Sequence, residues 1–189
     1  MSTEAVSPRP PLWEINSRVV VFAAVGAALY AVLGLISFTI PGTQLVDVRP
    51  AFALVMFFGI RFGPIVGLFT GLVGNIVIDT IKGYGTFTYW HWSVSNALAG
   101  LLAAVLFALL ASRIKRQAWR LIVVGIIAEL ALALGFLFSI TDMWLQGSAF
   151  ETWLATAYGP LLVSNTLVAL ILTPALDAVW EPIAARVGR

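Results

Sequence analysis

Asn75 and Asp79 stand four residues apart at the end of the apolar run FGPIVGLFTGLVGNIVID (62–79), a spacing that stacks an amide and a carboxylate along one side of a helix. An amide offers both donors and an acceptor and a carboxylate offers acceptors, so the pair can grip the polar edge of a solute. Asn96, Glu129 and Asn165 are set in equally apolar surroundings, where an unpaired polar group is costly. Each asparagine reads equally well as hydrogen-bonding glue between helices, and Asp79 and Glu129 can instead pair with a neighbouring arginine or lysine. Asp47, Arg49 and Lys82 flank the apolar runs, where they can close over an anionic or polar solute or serve as solvated loop charge. Catalytic groups are not assembled. The chain has one histidine, His91, and no cysteine, which rules out a multi-histidine or thiolate metal site; His91 itself is expected at a surface or membrane interface.

Composition dictates what positions these residues. Of 189 residues 60% are hydrophobic and 11% charged, with a mean hydropathy of +0.97, far beyond a soluble domain. A bilayer core about 30 Å thick needs roughly 20 helical residues per crossing, so the chain supplies about six crossings and little else. The expectation is an all-α integral membrane bundle, with a loose tail over 1–15, one transmembrane domain over 16–180 and a C-terminal tail over 181–189. Spans are expected at about 16–38, 64–81, 93–110, 121–140 and 158–179. The run Ala51 to Ile60 is too short for an ordinary crossing. Pro64 suits the opening turn of a helix.

Charge orders the topology. Six spans with an internal N-terminus put Arg9, Arg18, Arg61, Arg113, Lys115, Arg116, Arg120, Arg186 and Arg189 inside and leave Arg49 and Lys82 outside. Five spans with an external N-terminus score nearly as well, so charge alone leaves the parity open. With six spans the embedded polar residues all lie between the outer surface and the midplane, as one outward-opening cavity requires.

Two small-residue stripes and an aromatic loop complete the pattern. Gly67, Gly71 and Gly74 share one flank of the third span, beside Asn75 and Asp79, and permit close backbone approach. Ala23, Ala27 and Ala31 recur every fourth residue on the first, suited to packing within the monomer or against another membrane subunit. Tyr84, Tyr89, Trp90, His91 and Trp92 crowd one connection, with Trp144 and Trp153 in another; an interfacial belt accounts for most such residues, and a minority can stack on a flat ligand.

DVRPAFALVMFFGIRFGPIVGLFTGLVGNIVIDTIKGYG, followed by WHWSVSNALAG, resembles the S components (substrate-binding membrane subunits) of energy-coupling factor (ECF) transporters, most closely the riboflavin-type branch. The resemblance implies six helices with a short second one, both termini cytoplasmic, in a prokaryotic plasma membrane. It implies a water-soluble vitamin or precursor, riboflavin first, bound from outside beneath the external loops, with Asp47, Arg49, Tyr84, Trp92, Asn96, Glu129 and Asn165 as lining candidates beside Asn75 and Asp79. It also implies a T component (the transmembrane coupling subunit) meeting the first helix at Ala23, Ala27 and Ala31, and two partner ATPases that use the ATP. No GxxxxGK[ST] nucleotide motif occurs in this chain, and its charge suggests no nucleic acid. The rival reading is a ligand-free scaffold of the cell envelope; an enzyme is disfavoured because no convergent catalytic set is present. Reporter fusions at the two termini are expected to report the same side of the membrane; opposite sides would contradict six spans.

Overall fold

Among the described residues five helices are long and apolar enough to cross a bilayer, and a shorter apolar one lies between the first two of them. The computed structural model describes residues 12–110 and 116–186, so Arg9, Arg113, Lys115 and Arg189 lie outside the described residues, as do most of the expected N-terminal tail and the last three residues of the C-terminal one. Asn16 starts α1 (Ser17–Gly34) by accepting from the Val19 amide at 3.0 Å. The loop after it is more regular than its prolines suggest: β1 (Phe38–Thr39) and β2 (Asp47–Val48) pair antiparallel, with Thr39 opposite Asp47.

Helix α2 (Phe52–Phe62) has 11 residues, about 16 Å of rise. It begins within the bundle, which draws the hairpin and Arg49 inward to the level of the last turns of α1. Gly63, at a φ of 103°, makes the reversal that a Cβ would strain, and Pro64 opens α3 (Pro64–Lys82). Gly83 closes α3 in the left-handed region, its amide on the Asp79 carbonyl. Helix α4 (Trp90–Leu110) starts inside the aromatic loop, three residues before the expected Ser93.

The last two spans run longer than their hydropathy suggests. Helix α5 (Gln117–Phe136) continues through a 3-10 stretch, Leu137–Thr141, and a short turn, Asp142–Leu145. The sixth span is already helical at Phe150, within the expected loop, and continues to Arg186, through the expected boundary at 180. Two π-helical segments, Leu154–Tyr158 and Val168–Leu172, interrupt it and rotate the faces on either side.

Helix α3 is the hub, packed most extensively on α1 and α4. At Gly67 and Gly100 the backbones of α3 and α4 touch so closely that a Cβ on either would collide with the other's carbonyl. Gly74 serves the opposite neighbour, against Tyr30 of α1. Ala23, Ala27 and Ala31, the alanines expected to meet a T component, are only 6–7% exposed, as small residues that let α1 settle into the bundle. The outward face of α1 carries Ala24 and Ala28 among Val21, Val25, Leu29 and Val32.

At the end away from the hairpin, Asp177 of the sixth span is buried between Arg61 of α2, to which it is ion-paired, and Arg120 of α5, whose Nε donates at 2.8 Å. Phe57 packs edge-on against Trp180 beside them. The cluster fastens α2, α5 and the sixth span together.

Because the Gly67–Gly100 contact is between backbones, no side-chain rotation relieves it. Gly67→Val is expected to cost about 3 kcal/mol or more and to lower the folded yield in detergent, whereas Val73→Leu on the exposed face of α3 changes thermal unfolding little.

Candidate functional site

The β-hairpin is what aims Asp47. Its register puts Thr39 across from Asp47, and the Thr39 hydroxyl donates to the carboxylate at 2.7 Å. Ser37 adds a donor at 2.9 Å, Lys82 one at 2.8 Å and Arg49 one at 3.0 Å. Burial alone would raise the pKa of this carboxyl; the Lys82, Thr39 and Arg49 hydrogen bonds overcome that and hold it at about 2. Asp47 is therefore a fixed negative charge.

Arg49 precedes Pro50, which disfavours helical backbone at that position, so the chain stays extended and the guanidinium reaches into the bundle. It donates to the Tyr30 hydroxyl at 3.1 Å and the Asn75 side-chain oxygen at 2.7 Å as well as to Asp47. Burial opposes its charge, but the Tyr30 hydroxyl and the Asp47 carboxylate outweigh burial and raise the pKa. Its Nε is buried with no protein partner, a donor still to be used.

From Arg49 the network spreads to four spans. Asn75 donates to Asp79 at 2.7 Å and to Ser93 at 3.0 Å, joining α3 to α4. Tyr30 donates to Asn96 at 2.7 Å, joining α1 to α4. Asn165 accepts from the Arg49 amide at 3.3 Å and donates to the Asp47 carbonyl at 3.1 Å, which ties the sixth span to the hairpin.

Most of these residues line one cavity, open at its mouth, beneath the hairpin and the α3–α4 connection. Of the sequence candidates it brings together Asp47, Arg49, Asn75, Asp79, Tyr84, Trp92, Asn96 and Asn165. Glu129 is not among them: it faces the seam between α5 and the sixth span, where Thr166 donates to it at 3.1 Å. Its azimuth on α5, which hydropathy does not set, turns it away from the cavity.

Several wall residues carried no polar signal. Phe52 and Phe136 meet edge to face at 5.5 Å, Trp92 lies 5.9 Å from Phe136, and Tyr30 lies 6.3 Å from Phe52, forming a continuous aromatic wall. Tyr30 alone was recognisable, as the one hydroxyl within the small-residue face of α1. His91 is a correction: it is fully buried rather than interfacial, with Nε2 2.5 Å from Asp142. Trp144 is exposed as an interfacial belt residue would be, whereas Trp153 is buried on the Ser139 hydroxyl at 3.1 Å.

Chemically, the site can bind but has no nucleophile–base pair, and no group of three or more metal-ligating His, Cys, Asp or Glu occurs among the described residues. It offers fixed opposite charges, amides able to donate and accept, and flat apolar walls. Since the pKa of Asp47 is depressed from 3.8 to about 2, its bonds stabilise the hairpin fully above about pH 4 and are lost as pH falls through about 2. Acid titration of tryptophan fluorescence is expected to show a hairpin transition in that window, absent in Asp47→Asn.

The sequence profile of the family described as "ECF-type riboflavin transporter, S component" matches residues 14–180. A UPF0397 protein of Aliivibrio salmonicida (strain LFI1238) is 34% identical over 99 residues, 52% of this chain and 52% of that protein, so the chain spans about half the length of the curated relative it matches. No solved structure matches. A profile covering nearly the whole chain, on an all-α fold of six helices with five apolar spans, shows the family: the chain belongs to the ECF-type riboflavin transporter S component family.

Proposed function

We propose that this chain captures riboflavin from outside the cell in the cavity around Arg49 and delivers it inward in complex with a T component and two ATPases. The single observation that carries the reading is the pairing of an aromatic wall, Trp92, Phe136, Phe52 and Tyr30, with a polar floor built on Arg49. A flavin has a flat tricyclic ring, an edge of carbonyls and an imide N–H, and a chain of hydroxyls. The wall suits the ring, and Arg49, Asn75, Asn96 and Asn165 suit the edge and the hydroxyls.

Orientation follows from charge. Arg49 and Lys82 stand at the cavity end, and Arg61, Arg116 and Arg120 at the other, so the positive-inside rule turns the cavity outward. The chain lacks a phosphate-binding loop, so ATP is used by the partner ATPases. The Ala24 and Ala28 face of α1, flat and small enough for close helix contact, is offered to the T component in place of the buried alanines. Toppling of the loaded subunit in the lipid bilayer would then carry the cavity across.

Titration of the purified chain against a panel of water-soluble vitamins tests the substrate. Riboflavin is expected to bind one to one below about 1 μM, and Asn96→Ala, which strips the acceptor from Tyr30, to weaken it about tenfold. Tighter binding of another vitamin, or of none, would overturn the assignment.

A further inference from the structure

Asp142 is fully buried at the start of the turn that follows α5, on the connection to the sixth span. A carboxylate in such a place is retained against the cost of desolvation, so its partners show what it is for. One oxygen, Oδ1, takes both: His91 Nε2 at 2.5 Å and the Trp92 indole Nε1–H at 3.4 Å. The two partners are consecutive residues in the first turn of α4, where the helix dipole also favours a negative charge.

The turn bearing Asp142 is itself fixed. Its carbonyl accepts from the Gln146 amide at 2.9 Å and the Ser148 amide at 3.3 Å. His91 is fully buried and clamps the carboxylate, leaving Trp92 as the partner that reaches further. The Trp92 ring lines the cavity and leans on Phe136, whereas Asp142 does not line it. The indole is the cavity-lining side chain that Asp142 holds directly by a hydrogen bond.

We infer that Asp142, clamped by His91, is a positioning residue that fixes the plane of the Trp92 ring for a flat aromatic ligand. The ligand part of this rests on the function proposed above. Without the tether, the indole is free to leave the orientation in which its face meets the cavity, and the contact between two π-systems depends on that orientation.

A double-mutant cycle read by riboflavin binding and by quenching of flavin fluorescence separates positioning from folding. Asp142→Ala is expected to raise the Kd about tenfold and reduce the quenching, and Asp142→Asn, which keeps an acceptor oxygen, to stay within about threefold of the wild type. In a Trp92→Phe background, which has no indole N–H, Asp142→Ala should change the Kd less than about twofold. Equal losses in both backgrounds, or no loss in either, would overturn the inference.

Should the wild type bind no flavin, the substrate reading fails and the tether is decided separately. The ultraviolet resonance Raman difference against Trp92→Phe should show a hydrogen-bonded indole N–H in the wild type and in Asp142→Asn, and a free one in Asp142→Ala. A free N–H in the wild type would contradict the tether.

Discussion

A guanidinium drawn into an apolar bundle has to find an acceptor in each direction it points, and Arg49 makes that demand on the rest of the chain. It meets Asp47 within its own loop, Tyr30 from α1 and Asn75 from α3, while its backbone amide meets Asn165 from the sixth span. Removing one partner would leave a buried charge undersatisfied, at a cost of about 3–5 kcal/mol for a buried ion pair. The four contacts therefore hold three spans and the hairpin in mutual register. They also leave Nε without a partner, so the network is complete enough to be rigid and open enough to accept a further acceptor.

The short α2 makes this possible. A full crossing would have left the hairpin above the bundle in water, where Asp47 and Arg49 would be an ordinary exposed pair worth less than about 1 kcal/mol. Eleven residues bring it down among the helices instead. On the far side of the cavity, the Gly67–Gly100 contact draws α4 against α3, which lets Asn75 reach Ser93 and Tyr30 reach Asn96. Backbone packing and polar geometry are thus one design: the glycines set the helix separation at which those side chains meet.

Much of this was legible in the residues. Hydropathy gave the spans, and the Gly63–Pro64 junction the reversal into α3, because those signals are local. Depth gave most of the cavity, since intramembrane polar groups are few and tend to converge. Azimuth was harder. Ala23, Ala27 and Ala31 and Glu129 each had a plausible second face, and only packing decides which one a helix turns inward. The aromatic wall of Phe52 and Phe136 was hidden, because a phenylalanine lining a cavity reads like any other in an apolar chain. The pairing of His91 with Asp142, 51 residues apart, had no signal in either segment alone.

Native mass spectrometry of the chain purified from cells grown with riboflavin, beside its Arg49→Gln variant, tests most directly that the Arg49 network is the ligand site. The wild type is expected to carry one equivalent of riboflavin mass and the variant, with its folding checked by helix content and thermal unfolding, to emerge empty. Equal occupancy in both, or a wild type that carries none, would contradict the account.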